Sequence, residues 1–169
     1  MFKHTGIIRR IDDIGRIIIP KEVRRKFRIC DGDPIEIGED GDAIALRKYS
    51  VIEFWSEFTQ KILDSFSKTT SLPVILCSRN SILASYGTSL KARDILSNEL
   101  TEALLDEEKC CYGCEIVDDT EVKAAETERI YLNGNLEGAI IIPEHKEGLT
   151  DFERGCLTQC VATINEFLM

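Results

Sequence analysis

The most informative stretch of the chain is residues 6–25, which read GIIRRIDDIGRIIIPKEVRR. Its β-branched run at residues 17–19 is typical of a buried strand. Pro20 fits the first turn of a helix, where its missing N–H costs nothing. Residues 12–15 favour a turn, because Gly15 can adopt a positive φ. The stretch therefore predicts a strand, a turn, a second strand and a short helix, over residues 5–11, 12–15, 16–19 and 21–27.

The first fifty residues predict a unit that is too small to bury its own apolar strands. Residues 35–37 and 43–46 alternate around a loop at residues 38–42, which indicates a hairpin. Below about 60 residues, only roughly 60% of the unfolded surface is buried and stability is marginal. No disulfide framework compensates. The simplest inference is that two chains share one core.

The charge of the chain is divided between its two halves. The net charge is −9, yet residues 1–50 sum to +2, residues 51–169 to −11, and residues 1–28 alone to +6. A basic segment on an acidic body favours a polyanion-binding site. A solvated basic face is the alternative interpretation of the charge.

The spacing D-x-x-G-R at residues 12–16, followed by I-P-x-E-x-R-R at residues 19–25, resembles the N-terminal DNA-binding domain of AbrB-type transition-state regulators. The match covers about residues 3–50. The resemblance implies a swapped-hairpin fold, in which two chains interleave into one barrel-like dimer. It agrees with the burial argument, which does not depend on it.

The resemblance also assigns candidate DNA-binding residues. The family's DNA-contacting arginines correspond to Arg9, Arg16, Arg24 and Arg25. The auxiliary phosphate contacts are expected from Arg10, Lys3 and Lys26. An arginine offers a planar fork of donors that grips a phosphate or a guanine edge, whereas a lysine provides a point charge. No long recognition helix is predicted, so we expect much of the recognition to depend on DNA shape.

The remaining residues, 51–169, predict an α+β domain of helices packed on a sheet. Ser50 with Glu53, and Thr150 with Glu153, have capping-box spacing at the start of two helices. Asn133-Gly134-Asn135 indicates a hairpin. The predicted strands cover residues 72–77, 81–86, 128–132 and 136–142, and a further helix covers residues 92–105.

An aromatic and aliphatic stripe marks the first helix of this domain. Its members recur every four residues: Phe54, Phe58, Ile62 and Phe66. Core packing and an interchain helix contact both explain such a stripe. The chain resembles those AbrB-type regulators that join the DNA-binding head to a GAF-like domain. That resemblance implies a transcriptional regulator of sporulation-type genes, with residues 51–169 assembling dimers into a tetramer or binding a small-molecule effector.

The seven cysteines suggest a reducing, cytoplasmic location, since the sequence shows no secretory signal and no apolar run long enough to span a membrane. Cys110, Cys111 and Cys114 include a C-x-x-C spacing, which zinc sites use. A fourth ligand is available only by elimination, from His145, Cys77, Cys156 or Cys160. We therefore predict no metal and no cofactor, with inert or redox-sensing thiols as the two alternatives.

Two further functions compete with DNA-binding regulation. Toxin–antitoxin modules reuse the AbrB-type head, but antitoxins usually continue into a disordered tail, whereas residues 51–169 are apolar-periodic and capped. A small-molecule or redox sensor built on the GAF-like domain is the other alternative. No nucleophile triad, glycine-rich phosphate loop or carboxylate pair is evident, so no enzyme activity is predicted.

Overall fold

The computed structural model describes residues 6–27, 29, 31–145 and 148–168. The chain divides into two units, Met1–Tyr49 and Ser50–Met169. No helix in the described part of the chain is long and apolar enough to cross a lipid bilayer.

The first unit contains one short helix and one hairpin. Helix α1 spans Lys21–Lys26, and antiparallel strands β1, Ile35–Asp40, and β2, Ala43–Lys48, pair in the register Ile35 with Lys48. The predicted helix and hairpin are thus confirmed, with longer strands than the apolar alternation indicated. A salt bridge of 2.8 Å between Lys48 Nζ and Asp33 Oδ2 closes the open end of the hairpin.

The two strands predicted before α1 are wrong for the single chain. Residues 6–11 and 16–19 flank a turn, but the described residues there form no strand. A strand needs a ladder of backbone hydrogen bonds to a neighbouring strand, and the described residues form no such ladder here. Their side chains are correspondingly exposed, with Ile8 at 86% and Ile18 at 77% of full exposure.

The second unit is a four-stranded antiparallel sheet with helices on both faces. In spatial order the strands are β4, β3, β6 and β5. Helices α2, α3 and α5 pack on one face and α4 on the other. The predicted α+β class is confirmed for this unit. In chain order the elements are α2 Val51–Phe54, α3 Ser56–Thr70, β3 Val74–Ser78, β4 Ile82–Tyr86, α4 Asn98–Leu105, β5 Ala124–Leu132, β6 Asn135–Pro143 and α5 Asp151–Leu168.

The central strand β6 supplies both cores of this unit. Ile140 and Ile142 contact the core under α3 and α5, whereas Ala139 and Ile141 contact the core under α4. Alternate residues of a strand point to opposite faces of the sheet, which explains this division. A strand covered on both faces reads as a continuous apolar run, as this one does.

The predicted first helix is broken in two at Trp55. Ser50 caps α2 by accepting the backbone N–H of Glu53 at 3.4 Å, as its spacing predicted. Because a new helix begins at Ser56, the predicted stripe does not lie on one face. Phe66 is buried in the core, whereas Phe54 is 68% exposed.

Helix α4 begins six residues later than predicted. The Ser97 hydroxyl accepts the N–H of Leu100 at 3.0 Å and caps the helix there. Arg93 has φ +78°, a left-handed conformation that an α-helix does not contain, so no helix runs through residues 92–97. The hairpin turn and the second capping box are as predicted: Asn133 and Gly134 both have positive φ, and Thr150 and Glu153 exchange hydrogen bonds.

Gly138 lies on β6 against the backbone of β3, and a substitution there tests this packing. A Cβ added at Gly138 would collide with the carbonyl oxygen of Cys77 and lie 3.3 Å from Ile52 Cδ1. We expect Gly138→Ala to lower the free energy of unfolding by about 3 kcal/mol, because a strand backbone cannot easily yield to overpacking. Urea unfolding measures the change.

The matched control is Gly155→Ala in α5, where an added Cβ meets nothing within 4 Å. Alanine should raise the free energy of unfolding there by up to about 1 kcal/mol, since glycine is the poorer helix former. Equal stability of the two variants would contradict this account of the β3–β6 contact.

Candidate nucleic-acid interface

A tight turn over residues 12–16, here called the Asp12 turn, organises the basic segment. The backbone N–H of Asp12 donates to the carbonyl oxygen of Arg16 at 3.0 Å, and the N–H of Gly15 donates to the carbonyl oxygen of Asp12 at 3.1 Å. Gly15 has φ +84°, a conformation that side chains rarely allow. The turn predicted from these residues is confirmed.

The Asp12 carboxylate holds both the turn and the Arg16 side chain. Its Oδ1 accepts the backbone N–H groups of Ile14, at 3.2 Å, and Arg16, at 2.7 Å. Its Oδ2 accepts Arg16 Nε at 2.7 Å. The backbone N–H of Arg16, and then its guanidinium, lower the pKa of Asp12 below its ordinary value. Sequence reasoning treated Asp12 as a turn residue only; the aspartate four residues before the arginine was the available signal.

Arg16 is left well placed to meet a polyanion. Its side chain is 74% exposed although Nε is bonded to Asp12. A guanidinium has five N–H donors, and the bond to Asp12 uses only the one on Nε. The turn therefore presents a charged group whose orientation is set before any ligand arrives.

Helix α1 carries three more of the predicted residues. Arg24 is half-buried, and its Nη1 donates to Asp31 Oδ1 at 2.7 Å. Its Nε is buried and has no hydrogen-bond partner. Arg25 is exposed, as is Lys26, whose Nζ lies 5.6 Å from the centre of the Phe27 ring. At six residues, α1 is shorter than a major-groove recognition helix.

Arg9 and Arg10 lie on the extended segment that precedes the turn, and both are exposed. Arg9 Nη1 donates to the carbonyl oxygen of Ile8 at 2.9 Å. Lys3, the remaining candidate, lies outside the described residues. The structure thus places the described candidates on the three consecutive pieces of one segment: extended strand-like chain, turn and helix.

The cations of the β1–β2 hairpin are paired with carboxylates, as Arg16 and Arg24 are. Arg47 contacts Glu36 at 2.5 Å and Lys48 contacts Asp33 at 2.8 Å. Each hairpin cation therefore has a carboxylate beside it.

The candidate metal ligands have surroundings that do not suit a metal site. Among the described residues, no group of three or more His, Cys, Asp or Glu side chains could hold a metal ion. His145 Nδ1 lies 3.1 Å from the carbonyl oxygen of Pro143. Burial raises the pKa of Cys77 to about 12 and that of Cys160 to about 11. These environments favour protonated thiols, which are poor metal ligands.

The Asp12–Arg16 contact predicts a lowered pKa for the Asp12 carboxyl. We expect the Asp12 carboxyl to titrate below the ordinary aspartate value of 3.8. Its bonds then stabilise the turn above pH 3.8, and that stability is lost as the pH falls through the lowered value. In Arg16→Ala the pKa should rise only part of the way, because the backbone N–H of residue 16 persists.

Carboxyl-carbon NMR over an acid titration measures the pKa of Asp12 in the parent and in Arg16→Ala. A carboxyl that titrates at or above 3.8 in the parent would contradict the contact, as would an unchanged pKa in Arg16→Ala.

Comparison with known proteins extends these observations to the whole chain. Residues 8–53 match the family model described as antidote-toxin recognition MazE, bacterial antitoxin. Transition state regulatory protein AbrB of Bacillus subtilis is 47% identical over 47 residues, covering 28% of this chain and 49% of that protein. The cofactor binding GAF domain of the nutrient sensor CodY from Clostridium difficile is 12% identical, with a TM-score of 0.45, and covers 72% of this chain and 99% of that domain.

Stage V sporulation protein T of Bacillus subtilis is 36% identical over 151 residues, which cover 83% of this chain and 84% of that protein. This match is longer than either unit and therefore extends into both. The match to AbrB, at 47 residues, is about as long as the first unit alone. On this evidence the chain belongs to the stage V sporulation protein T family, and it is a DNA-binding transcriptional regulator with an AbrB-type head.

Proposed function

We propose that the chain binds double-stranded DNA through the basic segment of residues 9–26 and regulates sporulation-type genes in the bacterial cytoplasm. The Asp12 turn is the observation that carries this proposal, because it holds an exposed arginine in a fixed orientation within a run of cations. The proposed DNA contacts are Arg9, Arg16, Arg24 and Arg25, with Arg10, Lys3 and Lys26 as auxiliary phosphate contacts.

The exposed isoleucines support a dimeric DNA-binding unit. Ile8, Ile11, Ile17 and Ile18 are each at least half exposed, and so are Ile37 and Ile44 on the hairpin. A second chain packed on these residues would remove their exposed apolar surface from water. We propose that residues 1–50 of two chains interleave, and that this doubles the set of DNA-binding cations.

In such a dimer, affinity and selectivity have different origins. Contacts to phosphate orient the protein and contribute most of the affinity, whereas base edges and DNA deformability provide selectivity. With α1 only six residues long, few side chains can reach base edges. Recognition of DNA shape is therefore the main source of selectivity in this proposal.

Residues 51–169 form the proposed oligomerisation and sensor domain. Four aromatic side chains lie together and are here called the aromatic patch: Phe54 of α2, Trp55 between α2 and α3, Phe58 of α3 and Phe167 of α5. Phe58 stacks on Phe167 at 3.6 Å between ring centres, and Trp55 meets the edge of Phe167 at 5.0 Å. We propose this patch, in place of the predicted continuous stripe, as the contact that joins two dimers into a tetramer.

Two alternatives remain for the whole chain. The match of residues 8–53 to an antitoxin model favours an AbrB-type antitoxin. An antitoxin would be expected to continue into a disordered tail, whereas residues 51–168 here pack into a sheet with two cores. A small-molecule effector of the GAF-like domain is the second alternative, and it is compatible with DNA binding.

Salt dependence tests the DNA-binding segment. With roughly six phosphate contacts per dimer, log K should fall with log salt at a slope of about −5, so that binding weakens about a thousandfold between 50 and 200 mM salt. Arg16→Ala removes two cations per dimer and should make the slope shallower by about 1–2. Fluorescence anisotropy at four salt concentrations measures the slopes.

The matched control is Lys61→Ala, which removes an exposed cation from α3 in the other unit. It should leave both slope and affinity unchanged. Salt-independent binding by the parent, or parental affinity in Arg16→Ala, would contradict the assignment of this segment.

Sedimentation of the full chain tests the dimer and the tetramer together. We expect the parent to sediment as a tetramer. Ile18→Asp should reduce the mass to half of that value, because it places a charge in the proposed dimer core. The matched control, Ile95→Asp, alters an exposed isoleucine of the other unit and should keep the parental mass. A parental mass in Ile18→Asp would contradict the proposed dimer.

A further inference from the structure

Three cysteines lie in the loop between α4 and β5, residues 106–123, here called the thiol loop. Cys110 is exposed, whereas Cys111 and Cys114 are buried against the core under α4. The proposed DNA contacts include none of them. An exposed thiol next to two buried ones is the arrangement in which oxidation at one sulfur can be resolved by another.

The surroundings of Cys110 suit the reactive position. The backbone N–H of Tyr112 donates to Cys110 Sγ at 3.4 Å. Burial instead raises the pKa of the Cys111 and Cys114 thiols and keeps them protonated. Exposure thus singles out Cys110 as the sulfur that an oxidant meets first.

Cys114 is placed to resolve an oxidised Cys110. Its Sγ lies 3.9 Å from the carbonyl oxygen of Cys110. A turn brings the chain back on itself here: the N–H of Cys114 contacts the carbonyl oxygen of Cys111 at 3.3 Å, and Gly113 has φ +78°. Cys110 and Cys114 therefore lie on opposite sides of one tight turn.

Cys111 is engaged elsewhere. Arg129 Nη2 on β5 lies 3.7 Å from Cys111 Sγ. The same guanidinium donates to the carbonyl oxygens of Ala103, Leu104 and Lys109, at 2.8, 3.1 and 3.0 Å. Arg129 thus fastens the end of α4 and the start of the thiol loop to the sheet, with Cys111 as part of that attachment.

We propose that Cys110 and Cys114 form a hydroperoxide-sensitive thiol pair that closes into a disulfide and releases the thiol loop from Arg129. The Cys110 thiolate attacks the distal oxygen of a hydroperoxide, the O–O bond breaks, and an alcohol or water leaves after taking up a proton. Cys110 becomes a sulfenic acid, oxidised by two electrons. The Cys114 sulfur loses its proton and attacks Cys110 Sγ, the S–O bond breaks, and water leaves.

The disulfide would change the structure because Cys114 is part of the core. Bonding to Cys110 draws its sulfur from the buried cluster toward the exposed side of the turn. Cys111 lies inside the closed loop, so its contact with Arg129 changes with it. The carbonyl groups at residues 103–109 then lose their common donor, and their segment should open to solvent more often.

The experiment treats the full reduced chain with a small excess of hydrogen peroxide. Free thiols are then blocked under denaturing conditions, and peptides are mapped by mass spectrometry. We expect a Cys110–Cys114 linked peptide in the parent, together with amide hydrogen exchange at least about tenfold faster across residues 103–114. Cys110→Ser should abolish the linked peptide. Cys114→Ser should leave a sulfenic acid at Cys110 that dimedone traps.

Cys156→Ser is the matched control, since Cys156 and Cys160 are also four residues apart but lie on α5. This variant should form the Cys110–Cys114 peptide at the parental rate. The proposal is overturned if the parent stays reduced at Cys110, if Cys111 replaces Cys114 in the linked peptide, or if Cys110→Ser oxidises the loop as fast as the parent. Unchanged hydrogen exchange on disulfide formation would overturn the release from Arg129.

Discussion

A run of three isoleucines that the single chain does not bury is the constraint on which this molecule depends. Ile17, Ile18 and Ile19 are β-branched and apolar, yet they form no strand in the single chain, and Ile17 and Ile18 are at least half exposed. Backbone N–H and C=O groups raise the free energy if they are buried without hydrogen bonds. Beside exposed isoleucines in water, they favour association with another chain. The proposed dimer follows from that conflict. The basic surface follows too, because pairing the two chains brings two copies of the Asp12 turn together.

The Asp12 turn shows how a few local bonds prepare a binding group. One carboxylate accepts two backbone N–H groups and one guanidinium N–H. The arginine side chain is thereby partly restricted in advance, which would reduce the ordering cost of the proposed association with DNA. Arg24 has a related arrangement with Asp31. In both, an acidic residue inside a basic segment orients a cation without cancelling the positive charge of the segment.

The second unit illustrates where local sequence patterns stop being reliable. The i, i+4 stripe from Phe54 to Phe66 predicted one helix face, but the helix restarts at Ser56, so Leu63 and Phe66 enter the core while Phe54 stays exposed. Similarly, apolar spacing across residues 92–105 predicted a helix longer than α4. The positive φ of Arg93 and the Ser97 cap place its start at Asn98. Periodicity reports a buried face, but it does not report where the chain bends.

The sequence by itself determined those features whose causes lie within a few residues: the Asp12 turn, helix α1, both capping boxes, the Asn133-Gly134 hairpin and the motif of the DNA-binding head. Turn conformation and capping depend on neighbouring backbone groups, so residue type and spacing are sufficient. Only the tertiary structure decided that Arg129 meets the carbonyl groups of residues 103–109 and that Gly138 lies against Cys77. Those contacts join segments far apart in the chain. Their geometry depends on strand register and on how helices pack across the sheet, which no local pattern encodes.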